Sequence, residues 1–142
     1  MIKVMIVDDS AVARAALQQV LATAPDIQVC GSAPDPLFAL EKMRREWPDL
    51  IITGLDLPRM DGVSFVRRVM SRRPTPVVLC APLHAQGTSP LIRALAAGAV
   101  GIITRPEFDV INALHTRGDE ILATVRAATC PERESALPPN VS

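Results

Sequence analysis

Short runs of apolar residues recur along the chain, and the segments between them carry apolar residues at helical spacing. The runs have the length of strands, most of their residues are β-branched, and they do not alternate with polar residues. Strands of this kind are covered by helices on both faces, as in a parallel sheet. The predicted strands are Ile2 to Val7, Ile27 to Cys30, Leu50 to Thr53, Pro76 to Cys80 and Val100 to Ile103.

The segments between the strands predict five helices. Ser10 is a suitable N-cap for the first helix, which should end before Pro25. Thr88 or Ser89 should cap the fourth helix, which Gly98 ends. The other predicted helices are Pro36 to about Glu46, a third helix that closes at Arg72 and Arg73, and about Val110 to Ala128.

Each predicted helix has an apolar stripe that should face the sheet. A chain of alternating strands and helices with right-handed crossovers forms a doubly wound α/β domain, here expected over residues 1–129. Residues 130–142 are rich in proline and polar residues, which predicts a linker or a disordered tail. The stripes include Val12, Ala13, Ala16, Leu17, Val20 and Leu21, then Leu37, Leu40 and Met43, then Val63, Phe65, Val66, Val69 and Met70, then Leu91, Ile92, Leu95 and Ala96, and finally Ile111, Leu114, Ile121, Leu122 and Val125.

The charge balance argues against some partners. The chain has 15 Lys and Arg residues and 15 Asp and Glu residues, so no overall field favours nucleic acid or an anionic membrane. No signal peptide and no apolar span of membrane length is indicated, which favours a cytoplasmic protein. Cys30, Cys80 and Cys130 are too few and too far apart for a disulfide framework or a paired metal motif.

Candidate chemistry lies where the predicted strands end, at the edge where parallel α/β sheets bind ligands. Asp8 and Asp9 follow the first strand, and such a carboxylate pair suits Mg²⁺, although Asp9 and Ser10 could simply cap a helix. Asp61-Gly62 marks a turn into the third helix. Thr104-Arg105-Pro106 brings a cation to the same edge, with a proline peptide that is a candidate for the cis form.

Taken together, these segments resemble the receiver domains of two-component response regulators. The features are the opening KVMIVDDS, the segment PDLIITGLDLPRMDG, and AAGAVGIITRP, in that order over about residues 1–129. Within that family, VDDSAVARAAL, LPRMDGVSFVRRVM and LIRALAAGAVGIITRP are most similar to the N-terminal receiver of chemotaxis protein-glutamate methylesterases. The resemblance implies a flavodoxin-like parallel sheet of strand order 2-1-3-4-5.

The chain departs from the pattern of that family at its chemical positions. The resemblance places the phosphate-accepting aspartate four residues before Pro58, where this chain has Gly54. Glycine has no nucleophile, so an acyl phosphate cannot form there. Three more family positions differ: the hydroxyl residue that contacts the phosphoryl group is Ala81, the lysine is Arg105, and the aromatic switch residue is Ile102.

The remaining acidic residues leave alternatives open. Asp56 lies two residues after Gly54 and is a candidate substitute acceptor. Asp8, Asp9 and Asp56 are alternatively the ligands of a Mg²⁺ site weakened by the missing carboxylate, or a solvated acidic rim without metal.

We therefore expect a receiver that regulates through protein contact without phosphorylation and is not itself an enzyme. Its expected partner is an output domain of the methylesterase type, or a histidine kinase through a residual interaction, and it should be a monomer or a weak dimer. The resemblance places the partner surface on the fourth helix, fifth strand and fifth helix, where the chain offers Leu91, Arg93, Leu95 and Arg105. The alternatives are phosphorylation at Asp56, or a normal receiver with a change introduced at Gly54. A small-molecule enzyme is disfavoured because no glycine-rich phosphate loop follows the first strand.

Overall fold

The computed structural model describes residues 1–82, 85, 87–105 and 110–129, with side chains of the last helix described from residue 118 onward. The predicted tail at 130–142, the proline peptide at Pro106 and the side chains of Ile111 and Leu114 lie outside the described residues. Strands and helices alternate throughout. They are β1 (Ile2–Val7), α1 (Ala11–Ala22), β2 (Ile27–Ala33), α2 (Pro36–Met43), β3 (Leu50–Thr53), α3 (Gly62–Arg72), β4 (Val77–Ala81), α4 (Ser89–Ala97), β5 (Gly101–Thr104) and α5 (Val110–Thr129).

The strands form one five-stranded sheet of order β2-β1-β3-β4-β5, in which every pairing is parallel. The predicted doubly wound fold and its strand order are confirmed. β3 is the central strand, and β1 pairs with it from Val4–Leu50 to Val7–Thr53, so these two strands end side by side. The residues that follow them, Asp8 and Gly54, are therefore neighbours at the carboxyl edge of the sheet.

The sheet separates two apolar layers, as expected when helices cover both faces. One layer joins alternate residues of the central strands, such as Val4 and Ile6, to α1 and α5. The other joins the intervening residues, such as Met5 and Val7, to α2, α3 and α4. Because consecutive side chains of a strand point to opposite faces, these uninterrupted apolar strands fill both layers.

Side-chain capping bonds begin α1, α2 and α3, of which the sequence predicted the Ser10 cap of α1. The Ser10 side chain accepts a hydrogen bond from the Ala13 N–H at 3.1 Å and begins α1. Asp35 and Asp61 cap α2 and α3 in the same way. At the start of α4, Thr88 is the N-cap by position, but its hydroxyl donates to the Ala85 carbonyl and makes no capping bond.

Several residues that were predicted to face the sheet do not face it. Val12, Leu37, Ile92, Leu95 and Ala96 are exposed. In α2 the buried stripe is Pro36, Ala39, Leu40 and Met43, and in α4 it is Leu91 and Ala94. Each of these stripes contains an alanine, Ala39 in α2 and Ala94 in α4, that the sequence analysis did not place inside. α2 also ends at Met43, before the predicted Glu46, and β2 continues past Cys30 to Ala33.

Within the described residues, no helix combines the length and the apolar character needed to cross a bilayer. The apolar content of the chain is instead accounted for by the two layers against the sheet.

Candidate functional site at the carboxyl edge of the sheet

A cavity of about 530 Å³ opens at the carboxyl edge of the sheet. Its lining brings together the residues that the sequence pointed to at three strand ends: Asp8 and Asp9 after β1, Gly54 and Asp56 after β3, and Arg105 after β5. The topology causes this convergence, because β1, β3, β4 and β5 are consecutive in the sheet and parallel. Four carboxylates and two arginines are among the lining residues, so electrostatic interactions dominate its chemistry.

Asp8 is the most buried of these charged residues, with 1% of its side chain exposed. Its Oδ1 accepts hydrogen bonds from the Ser10 N–H at 2.9 Å and from Arg105 Nη2 at 2.7 Å. Its Oδ2 is buried and has no hydrogen-bond partner among the described residues. Burial raises the pKa of Asp8, although the Ser10 hydrogen bond and the Arg105 charge oppose the shift.

Arg105 joins the two adjacent carboxylates. In addition to Asp8, its Nη2 lies 3.3 Å from Oδ1 of Asp9, whose side chain is half-exposed. The Arg105 N–H also donates to the Ala81 carbonyl at 2.9 Å, which fixes the backbone from which the side chain extends. A guanidinium thus supplies the positive charge that two neighbouring carboxylates require.

The space beside Gly54 is small and already partly filled. A Cβ added there would lie 3.5 Å from Asp8 Oδ2 and 3.3 Å from Cδ2 of Leu57, which is buried. The Gly54 N–H donates to the Val7 carbonyl at 2.9 Å, which continues the pairing of the two strands. Gly54 therefore lies against the buried Asp8 carboxyl, and Leu57 is in close contact with the position of an added Cβ.

The two other positions at which the chain departs from the receiver pattern are also located. Ala81 is the last residue of β4 and is fully buried, so it presents a methyl group where the resemblance expects a hydroxyl. Ile102 is half-buried in β5 and pairs with Leu79 of β4. Asp56 is exposed on the rim of the cavity and does not belong to β3.

The arrangement does not favour a Mg²⁺ ion. Arg105 already occupies Oδ1 of both Asp8 and Asp9, Asp8 Oδ2 is buried, and Gly54 contributes no side-chain oxygen. In the part of the chain that the structure describes, no three His, Cys, Asp or Glu side chains are grouped as metal ligands. The assignment of Asp8, Asp9 and Asp56 to a metal therefore stays a prediction, and the side chains as they stand do not fit one.

Two features of this edge were not predicted from the sequence. Arg14 Nη1 donates to the Asp8 carbonyl at 2.6 Å, which connects α1 to the end of β1. Arg59 has a positive φ of 69° and pairs with the buried Asp35 at 2.9 Å. Burial alone would raise the pKa of Asp35, but the Phe38 N–H and Arg59 lower it overall.

Gly62 holds the loop after β3 close to the first turn of α3. A Cβ at Gly62 would overlap the Gly54 carbonyl oxygen and would approach Leu55 Cα at 2.8 Å. The Gly62 N–H donates to the Leu55 carbonyl at 2.8 Å. The sequence identified this glycine as a turn residue, but its role is to permit a close approach of two backbone segments.

The fold and the acidic pocket at its carboxyl edge define a doubly wound domain of the receiver class. Residues 4–116 match the response regulator receiver domain family, so the chain belongs to that family and is the receiver domain of a two-component response regulator. Such a domain is a regulatory module.

Two curated relatives and one solved structure show the same similarity. The chain is 51% identical over 124 residues to protein-glutamate methylesterase/protein-glutamine glutaminase 2 of Xanthomonas campestris, covering 87% of this chain and 35% of the relative. It is 48% identical over 127 residues to protein-glutamate methylesterase/protein-glutamine glutaminase 1 of Chromobacterium violaceum, covering 89% of the chain and 35% of that relative. The chain thus spans about a third of the length of these relatives.

The crystal structure of the response regulator domain of Thermotoga maritima CheB superposes with a TM-score of 0.80 at 33% identity, covering 91% of this chain and 96% of that one. The predicted resemblance to methylesterase receivers is confirmed.

Proposed function

We propose that this receiver regulates a protein partner through contact alone, without being phosphorylated at the position that receivers use. The observation that carries the proposal is Gly54, which adjoins the buried Asp8 carboxyl and offers no oxygen nucleophile. Ala81 supports the same conclusion, because its methyl group cannot donate a hydrogen bond to a phosphoryl group.

The Arg105 interactions support a fixed pocket. Arg105 binds Asp8 at 2.7 Å, so the cation is paired within the protein. A ligand shifts a conformational equilibrium only through a difference in its affinity for the two states. Without a phosphoryl group bound to this pocket, the domain lacks the ligand that would provide that difference, and its affinity for a partner is set by its resting structure.

The similarity to methylesterases indicates the kind of partner. The relatives are about three times as long as the matched region, so we propose a methylesterase-type output domain as the partner and a cytoplasmic location. The surface around α4 offers Leu95 and Arg93, which are exposed, whereas Leu91 is buried and is not available for such contact. The balanced net charge fits a protein that binds neither nucleic acid nor membrane, and we propose a monomer or weak dimer.

The proposal is tested by binding. The catalytic region of the Xanthomonas campestris methylesterase, purified separately, is titrated with this chain in the presence and absence of Mg²⁺ and acetyl phosphate. We expect binding whose Kd is unchanged by the phosphodonor. A Kd that changes with the donor would overturn the phosphorylation-independent role, and a complete lack of binding would overturn the assignment of the partner.

A further inference from the structure

A second concave surface lies between α2 and α3, away from the carboxyl-edge cavity. Its volume is about 190 Å³, and it shares no lining residue with that cavity. We call it the arginine groove. Its lining residues are Leu37, Leu40, Glu41, Arg44, Arg68 and Arg72.

The arginine groove is positively charged although the chain as a whole has a net charge of zero. Three guanidinium groups and one carboxylate line it. Arg44, Arg68 and Arg72 are exposed, and none of the three forms an ion pair with another described residue. Arg68 and Arg72 of α3 and Arg44, directly after α2, therefore line one small groove, where their hydrogen-bonding groups are available to an anionic ligand.

The floor of the arginine groove is apolar. Leu37 is 37% exposed and Leu40 is buried, and both line the groove beside the arginines. Phe38, the next residue of α2, is 44% exposed. Arginine and aromatic residues are enriched in protein-binding surfaces relative to the rest of a protein surface.

We propose that the arginine groove binds an acidic amphipathic segment of a partner protein. An apolar side chain of that segment would contact Leu37 and Leu40, while its carboxylates would pair with Arg44, Arg68 and Arg72. Planar guanidinium groups match carboxylates in bidentate geometry. The short length of the groove and its apolar floor favour such a segment over a polynucleotide, whose backbone needs an extended track of cations.

This interaction would be independent of the carboxyl-edge pocket, because the two surfaces have no lining residue in common. It therefore gives the domain a way to recognise a partner that does not require phosphorylation, and it does not depend on the identity of the output domain.

The test uses the full chain and a fluorescein-labelled synthetic peptide of alternating leucine and glutamate, followed by fluorescence anisotropy. The informative variant is Arg68→Glu, and its matched control is Arg67→Glu, which makes the same charge change at the adjacent exposed residue outside the groove. Circular dichroism verifies that both variants are folded. We expect Arg68→Glu to raise the Kd of the peptide roughly tenfold and Arg67→Glu to raise it much less.

Three further probes separate the alternatives: the peptide with glutamine in place of glutamate, a homopolymeric RNA, and vesicles of an anionic phospholipid. We expect the glutamine peptide to bind much more weakly than the glutamate peptide. Equal effects of Arg68→Glu and Arg67→Glu, equal binding of the two peptides, or no peptide binding would each overturn the proposal. RNA or vesicles that bind more tightly than the peptide and depend on Arg68 would also overturn it.

Discussion

Arg105 Nη2 lies 2.7 Å from Asp8 Oδ1, although the two residues are 97 positions apart in the sequence. The contact places a cation from the end of β5 on the most buried carboxyl of the pocket. Burying a carboxylate is costly unless a positive charge and hydrogen bonds accompany it. Arg105 is therefore expected to stabilise the fold as well as to occupy the pocket. Its contribution to the free energy of unfolding can be measured.

Replacing Arg105 with alanine should destabilise the domain by roughly 2–3 kcal/mol at neutral pH, because Asp8 would remain buried without its cation. The free energy of unfolding can be measured in urea from the fluorescence of Trp47, the single tryptophan. The matched control is Arg126→Ala, which removes an ion pair with Asp26 in which both side chains are about half exposed. An equal loss of stability in both variants would show that the Asp8 contact has no special importance.

Replacing Gly54 with alanine should be tolerated. Gly54 is not among the residues with positive φ, and its added Cβ would lie 3.3 Å from the end of the flexible Leu57 side chain and in ordinary contact with Asp8 Oδ2 at 3.5 Å. Because alanine also restricts the unfolded chain, we expect stability to stay equal or to rise by up to about 1 kcal/mol. Urea unfolding provides the measurement.

Gly54→Asp should behave differently, since it adds a second carboxylate beside Asp8. Repulsion between the two carboxylates should make it roughly 1–2 kcal/mol less stable than Gly54→Ala at neutral pH. The difference should shrink at acid pH, where one carboxyl is protonated. A difference that does not vary with pH would mean that the added side chain does not face Asp8.

Gly62→Ala should cost about 2 kcal/mol or more, because the added Cβ would collide with the backbone of Gly54 and Leu55. Gly31→Ala is a suitable control. Its Cβ would approach Met5 Cε at 2.9 Å, but that atom is the end of a flexible side chain and can move. Comparable unfolding free energies for the two variants would contradict the close backbone approach at Gly62.

The raised pKa of Asp8 predicts a specific pH dependence. The folded protein keeps the Asp8 proton to a higher pH than the unfolded chain does. The contribution of Asp8 to stability is therefore complete below the ordinary pKa of 3.8 and is lost as pH rises through the folded-state pKa. Asp8→Asn removes this titration. The stability of Asp8→Asn relative to the wild type should therefore increase as pH rises above the ordinary carboxyl pKa.

Urea unfolding of both proteins from about pH 4 to pH 7 checks the sign of this effect. Asp35→Asn is a control with the opposite expectation, because the pKa of Asp35 is lowered. Removing that carboxylate should cost most above the ordinary carboxyl pKa and least in acid. Parallel curves for wild type and Asp8→Asn would contradict the assigned shift.

Much of the fold could be predicted because the strands have a strong local signal. Leu50–Thr53 is buried throughout, apolar in its first three residues and β-branched in three of its four, and its predicted bounds are confirmed. The phase of the helix stripes could not be predicted as well. Ala39 and Ala94 are buried, whereas Leu37 and Ile92 are exposed. Close packing also depends on the size of a side chain, so hydrophobicity alone does not indicate which face of a helix is buried.

For the site, the sequence could predict which residues would meet but not how they would pair. Asp8, Gly54 and Arg105 each follow a strand, so a parallel sheet brings them to one edge. The sequence does not show that Arg105 reaches Asp8 or that Leu57 lies close to Gly54. Both contacts depend on side-chain conformations, which are determined by residues distant in the sequence. The Arg59–Asp35 pair was missed for the same reason, since no local pattern indicates it.

The central claim is that this receiver is not phosphorylated. The most direct test is intact-mass spectrometry of the purified chain after incubation with Mg²⁺ and acetyl phosphate, with a receiver that carries the acceptor aspartate treated in parallel. The account predicts a phosphoryl adduct on the control receiver and none on this chain. An adduct on this chain that disappears in Asp56→Asn would show that Asp56 accepts the phosphate, and an adduct that persists in that variant would contradict the account equally.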